Sequence, residues 1–296
     1  MKARPDDVDV PVEPWTGTPT FFIPGAPKAG TSTLYRHLAA HPDVCMSEPK
    51  EPSIFFGHFG ERDYAEACFR HRTTEKAFGD ATATYMIHPE IPRRVHDAVP
   101  DAKFIIAVRE PIARAVSQYE FRVQKGTEVR PFSEIVKRGL DEEILSYSAY
   151  GTHFGRFFSL FPTDRFHFVE SNDLANDPGR TMAKVFEFLG VEPIPITKDV
   201  RENVTRAPGS DTTRRVLAVV RKTRVQRLVP RSVRPQMRRF ASKIMALGSS
   251  GSRTELRSQD RARLIQLFEP EVEALKAATG LSFPAWREDW VRLRSG

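Results

Sequence analysis

The chain has 296 residues, of which 40% are hydrophobic, and carries a formal net charge of +7. That length and apolar content bury a full core in one domain without requiring two. Cys45 and Cys68 are its two cysteines, with no C-x-x-C or Cys/His cluster, which excludes a disulfide framework and a zinc finger; no apolar run reaches the length of a membrane span.

Residues 1–18 are rich in Pro and Asp and lack the apolar core of a signal peptide. They read as a loose arm ahead of a single domain over residues 19–296. With so few cysteines, a reducing compartment is the expectation, which places the chain in the cytoplasm. Residues 20–23 make a short buried strand that Pro24-Gly25 closes. The helix after Gly30 sets Leu34, Tyr35 and Leu38 on one face and ends near His41, because the residue before Pro42 is pushed out of helical geometry. In "EPKEPSIFF", residues 48–56, prolines on both sides of Lys50-Glu51 forbid a regular helix and leave a loop. "FGDATATYM", residues 78–86, holds the end of a second strand, and "PEIPRRVHDAV" is a short helix.

"KFIIAV" is the clearest strand, a continuous apolar run of the kind a parallel strand shows when covered on both faces. Pro111 then opens a helix at a position that tolerates proline, with Ile112, Ala115, Val116 and Tyr119 facing inward. "RFHFVE" is a further strand. "PGRTMAKVFEFLG" is a helix with Met182, Val185, Phe186 and Leu189 on its core face and Gly190 as its stop. Residues 201–243 form a basic, helical stretch in which Glu202 and Asp211 are the acids. It suits an anionic ligand or an anionic membrane face, to which the protein would be peripheral, and a solvated helical face accounts for it equally well. Its sparse aromatics argue against a nucleic-acid partner. An amphipathic helix over residues 254–279 precedes "LSFPAWREDW". Alternating strands and helices define the class as α/β, a parallel sheet flanked by helices.

Three segments carry chemistry. In "FFIPGAPKAGTSTLYRHL" a strand, a Gly-bearing turn and a helix N-terminus aim backbone N–H groups and the helix dipole at one point. Gly25 and Gly30 have the spacing of the triphosphate-binding loop, but Thr31 stands where that loop has lysine, and Lys28 sits inside. Thr31, Ser32 and Thr33 add hydroxyls, so the loop suits a single phosphate, with Lys28 reaching beyond it; the bland alternative is a turn that binds nothing. In "AVREPIARAVSQYEF", Arg109 ends a buried strand, where open α/β sheets bind ligands. Ser117 lies two helical turns on and can share a second phosphate with it; the alternative pairs Arg109 with Glu110. In the proline-flanked loop, Glu51 is a candidate general base, with His58 the next in line, set against a plain ion pair with Lys50.

"PKAGTSTL", "KEPSIFF", "GDATATYMIHPEIPRRV" and "PDAKFIIAVREPIARAVSQY" stand in the order found in PAPS-dependent sulfotransferases. The chain resembles the bacterial members related to heparan sulfate sulfotransferases, over roughly residues 21–286. The resemblance implies a fold related to nucleotide kinases, and transfer of a sulfuryl group from PAPS (3′-phosphoadenosine 5′-phosphosulfate) to a hydroxyl or amine, with release of PAP. It implies that Ala29, Gly30, Thr31, Ser32 and Thr33 hold the 5′-phosphate. Arg109 and Ser117 would hold the 3′-phosphate, and Lys28 would touch the bridging oxygen. Glu51 would be the base, and no metal is implied. The acceptor would be a small molecule, a glycan or a lipid, with Phe55, Phe56 and Tyr85 as possible lining.

Two departures from the family pattern stand out. Ala81 replaces a lysine usual in the heparan-type enzymes, which points to a smaller or less charged acceptor. "RAPG", residues 206–209, is the candidate for the late PAPS-binding loop. The competing readings are a nucleotide kinase, which lacks here the ordered lysine–hydroxyl pair and an evident magnesium-binding acid, and a protein that binds anionic membranes or polymers through residues 201–243.

Overall fold

A computed structural model of the chain describes residues 19–56, 62–196, 254, 256–286 and 290–291. The N-terminal arm, His58 and the basic stretch, including residues 206–209, lie outside them.

Among the described residues five strands form one sheet: β1 (Phe21–Phe22), β2 (Val44–Met46), β3 (Ala77–Asp80), β4 (Lys103–Val108) and β5 (Phe166–Glu170). Their order is β2-β3-β1-β4-β5 and every pairing is parallel. Parallel strands need crossover connections, which the intervening helices supply. Between the strands lie α1 (Thr31–Ala39), α2 (Arg62–Cys68), α3 (Ile91–Ala98), α4 (Pro111–Lys125), α5 (Phe132–Arg138), α6 (Glu143–Ser146) and α7 (Tyr150–Phe158), and after β5 follow α8 (Ser171–Asn176), α9 (Pro178–Leu189) and α10 (Ser258–Thr279).

The central strand is shorter than its sequence predicts, because only Phe21 and Phe22 keep ladder geometry. Pairing still runs past both ends: Thr20 N–H donates to Phe78 O, Ile23 N–H to Asp80 O and Ala26 N–H to Ala107 O. The loop after β1 is thereby fixed to both neighbouring strands. Five of the six residues of β4 are fully buried, as its apolar run requires. Phe104 stacks on Phe22 and on Phe166, with centroids 5.8 Å and 5.1 Å away, tying the three strands together through one row of rings.

The helix over α4 places Ile112, Ala115 and Tyr119 in the core with Val116 partly covered, and α9 buries Met182, Val185, Phe186 and Leu189. The last helix begins at Ser258 rather than four residues earlier. Among the described residues no helix is long and apolar enough to cross a membrane.

Candidate active site

The loop between β1 and α1 turns on two residues with left-handed backbone, Lys28 (φ 71) and Gly30 (φ 100). Gly30 tolerates that region because it has no Cβ; Lys28 does not, and a non-glycine residue held there marks a constrained turn. Gly30 stands at the N-cap of α1 and no side chain caps the helix. Its first turn therefore keeps the anion-attracting end of the dipole open, with Thr31 buried, Thr33 half-buried and Ser32 exposed. Ala29 is fully buried beneath the turn, so its contribution is backbone. This is the geometry a phosphate requires.

Lys28 directs its ammonium across the face of Phe121, 4.3 Å from the ring centroid. Burial, followed by repulsion from Arg109, pushes its pKa below the ordinary lysine value, and Glu120 partly counters this. Arg109 leaves the C-terminal end of β4 and donates from Nη1 to the Lys28 carbonyl at 3.4 Å. The two cations that the sequence put 81 residues apart thus meet at one loop.

The backbone of Arg109 is itself clamped. Tyr150 OH donates to Arg109 O at 2.8 Å and accepts from Arg109 N–H at 3.3 Å. Glu110 caps α4, accepting from Ile112 and Ala113 N–H, and also accepts from the Trp290 indole at 2.9 Å. Arg114, fully buried, donates to Ser148 Oγ at 2.5 Å and to the Ile144 carbonyl. Burial lowers its pKa to about 10. Ser117 follows on the same helix, nearly buried. An open cleft of ≈ 610 Å³ continues from Phe121, lined by Gln118, Arg122, Lys125 and Thr127.

Glu51 lies in the loop after β2. Its side chain is 46% exposed and pairs with Lys50 at 2.9 Å, so the carboxylate is not in an apolar setting as its neighbours in sequence imply. The aromatic residues around it are also not free to line a cleft. Phe55 and Tyr85 are fully buried, and Phe56, half-buried, packs edge-on against Tyr85 and His88. Phe55 meets Phe22 of β1 edge-on at 5.5 Å, which seats the Glu51 loop beside the start of the phosphate-binding loop. Ala81, where the heparan-type lysine is expected, is fully buried and offers nothing to a ligand.

Several contributors were not read from the sequence. Phe121 lies one helical turn beyond Ser117 and was discoverable from that spacing. Tyr150 and Arg114 gave no signal, since only the tertiary packing brings Tyr150 to Arg109 and Arg114 to Ser148 and Ile144. Asp80 is fully buried and accepts from Thr82 N–H, Thr82 Oγ1 and Tyr85 OH at 2.9, 2.6 and 2.8 Å.

An uncapped helix N-terminus fed by the central strand of a parallel sheet, with an arginine at the end of the adjacent strand, defines an α/β protein of the phosphate-binding-loop class. The model of the sulfotransferase domain matches residues 18–237, and the chain belongs to the sulfotransferase family. Human heparan sulfate glucosamine 3-O-sulfotransferase 6 is 31% identical over 202 residues, covering 64% of this chain and 57% of that protein. Mouse heparan sulfate glucosamine 3-O-sulfotransferase 3A1 is 30% identical over 201 residues, 64% of this chain and 50% of that one. Human bifunctional heparan sulfate N-deacetylase/N-sulfotransferase 2 is 27% identical over 198 residues, 59% of this chain but 22% of its own length. The chain thus spans about half the length of the 3-O-sulfotransferases it matches. The crystal structure of a sulfotransferase from Alicyclobacillus acidocaldarius shares the fold, with a TM-score of 0.65 at 24% identity, covering 91% of this chain and 99% of that one.

Proposed function

We propose that the chain transfers a sulfuryl group from PAPS to a hydroxyl or amine of an acceptor, releasing PAP. The observation that carries this reading is the convergence of Lys28, Arg109 and the uncapped α1 N-terminus in a member of the sulfotransferase family. PAPS supplies the activated sulfate and two separated phosphates; this chain offers two separated phosphate holders. The backbone of Ala29 to Thr33, with the hydroxyls of Thr31, Ser32 and Thr33, binds one. Arg109 and Ser117 bind the other.

Lys28 is half-buried within the loop whose carbonyl Arg109 holds, and its ammonium would reach the oxygen that leaves with the nucleotide. Negative charge grows on that oxygen as the bond to sulfur breaks, so the lysine stabilises the transition state more than the ground state. The face of Phe121 fixes its direction and keeps water from one side. Glu51 accepts the proton of the attacking hydroxyl once its carboxylate is released from Lys50. The loop lacks the lysine–hydroxyl order that holds magnesium in triphosphatases, and the transfer proposed uses no metal.

A glycan acceptor is favoured, by the substrates named for the relatives and by the open cleft beyond Phe121 with Lys125 in its wall. Loss of the lysine at Ala81 argues for fewer anionic groups on it than in heparan sulfate. We place the protein in the cytoplasm, with residues 201–243 as its contact with an anionic membrane face. The test is transfer of labelled sulfate from PAPS to heparan-type oligosaccharides, to unsulfated glycans, to phenols and to lipid hydroxyls. Retention on immobilised PAP and a raised melting temperature with PAP are expected. Absence of both would overturn the reading.

A further inference from the structure

The loop that carries Glu51 forms neither helix nor strand over residues 49–56, yet its backbone is held at defined points. Ser53 N–H donates to Thr82 Oγ1 and Phe55 N–H donates to Tyr85 OH, each at 3.1 Å. Arg94 Nη1 takes the carbonyl side, donating to Phe55 O at 2.8 Å and to Phe56 O at 3.0 Å. Ser53 itself has a left-handed backbone, φ 58, so the turn beside Glu51 needs outside support.

A hydroxyl accepts from a backbone N–H while its own proton points elsewhere. Both hydroxyl protons here point to one residue. Thr82 Oγ1 donates to Asp80 Oδ1 at 2.6 Å and Tyr85 OH donates to Asp80 Oδ2 at 2.8 Å. An ionised carboxylate only accepts, so it turns both hydroxyls the same way and presents both oxygens to the loop. Asp80 ends β3 beside β1, and Ile23 N–H donates to its carbonyl at 2.8 Å. The residue that holds the Glu51 loop is therefore also anchored to the strand leading into the phosphate-binding loop.

We propose that Asp80 is a positioning residue for transfer: it orients the Thr82 and Tyr85 hydroxyls so that they tether the amides of Ser53 and Phe55, and so fixes Glu51. The proposal rests on Glu51 being the base. The competing role is plain satisfaction of a buried carboxylate, in which any side chain filling the space serves the loop equally well.

Asp80→Asn separates the two. It keeps the volume but replaces one acceptor oxygen by an NH₂ donor, so the hydroxyl facing that donor loses the acceptor that fixed its proton and is no longer held with its lone pair toward the loop. One tether is lost while the core stays filled. Hydrogen exchange of the segment over residues 50–56 needs no acceptor and is the deciding measurement. It should quicken by about tenfold or more in Asp80→Asn, while exchange around Gly30 stays unchanged. With a heparan-type oligosaccharide as probe acceptor, kcat should fall by about tenfold or more while PAP affinity stays within about threefold.

Thr82→Val and Tyr85→Phe each remove one tether and should show part of both effects, and Thr82→Ser should restore wild-type behaviour. Unchanged exchange over residues 50–56 in folded Asp80→Asn and Thr82→Val overturns the proposal whatever the turnover. Equal losses of kcat and PAP affinity with a lowered melting temperature also overturn it, in favour of the structural role. Glu51→Gln is run alongside. If it still transfers sulfate, the base assignment falls and with it the catalytic part of the proposal, while the exchange arm still decides whether Asp80 holds the loop.

Discussion

In the proposed transfer Lys28 and Arg109, neighbours of like charge, have separable roles. Lys28 acts on charge that develops during transfer, so Lys28→Ala should lower kcat by roughly a hundredfold while PAP affinity changes little. Arg109 acts on charge present throughout, so Arg109→Ala should weaken PAP binding by about tenfold or more, with a smaller effect on kcat. Calorimetric titration with PAP and steady-state rates check the pair; an inverted pattern would exchange their roles. Asp80 adds a pH signature. Burial raises its carboxyl from 3.8 to about 6, with the Thr82 and Tyr85 hydrogen bonds opposing that rise. Its contribution to stability is therefore full below pH about 4 and is lost as pH rises through about 6; at neutral pH the ionised form costs on the order of 3 kcal/mol. Thermal melts between pH 5 and 8 should show Asp80→Asn gaining on the wild type as pH rises. Glu128 does not blur the comparison: burial pushes its carboxyl up, hydrogen bonds from Arg130 outweigh this and hold it low, and both proteins share it.

At the scale of elements, legibility followed the strength of the local pattern. Strand β4 and helix α4 were plain, because an unbroken apolar run and a proline at N1 leave few alternatives. Strand β2 was missed: three residues, Val44 to Met46, are too short to show a period. Helix α7 was missed because "YGTHFGRFF" contains two glycines, which disfavour a helix in isolation. The residues of the candidate site divide the same way. Gly30, Lys28 and Arg109 sit at ends of strong elements and were named from the sequence; Asp80, Tyr150 and Arg114 were not, because the hydrogen bonds around them join segments about thirty or more residues apart. The lining assigned to Phe55 and Tyr85 failed because aromatic residues next to the Glu51 loop were read as ligand-facing, whereas they fill the core beneath it. Gly30 tests the loop as an element. Its φ of 100 is closed to L side chains, and a Cβ there would press on Leu174 at 3.3 Å. Gly30→Ala should cost about 1–2 kcal/mol of stability and weaken PAP binding by about tenfold, since the turn that aims the N–H groups must shift. Urea unfolding and PAP titration measure the two effects separately.

At the scale of the molecule, the C-terminal helix is coupled to the site through close packing with α7. Gly151 lets α10 approach so closely that a Cβ would lie 2.6 Å from Ala274 Cβ and 2.7 Å from Glu271 O. Glu271 seals the contact, accepting from Thr152 N–H and Thr152 Oγ1 at 2.7 Å each. Beyond α10, Trp286 stacks on Phe283 and donates to Glu170 at 2.7 Å, and Trp290 donates to Glu110, the cap beside Arg109. Tyr150, at the start of the same α7, clamps Arg109 from the other side. A wedge between α7 and α10 therefore acts on Arg109 by two routes. Gly151→Ala should destabilise by about 1–3 kcal/mol, the usual cost of overpacking, and lower the melting temperature by several degrees. PAP affinity should fall with it, because the Tyr150 clamp moves with α7. Thr152→Val breaks the hydroxyl bond to Glu271 without adding a wedge, so it should cost about 1 kcal/mol and leave PAP affinity alone. Thermal melts with and without PAP, set beside PAP titration of both variants, separate a displaced helix from a lost hydrogen bond. Wild-type PAP affinity in a destabilised Gly151→Ala protein would show that the α7–α10 contact supports the fold without reaching Arg109.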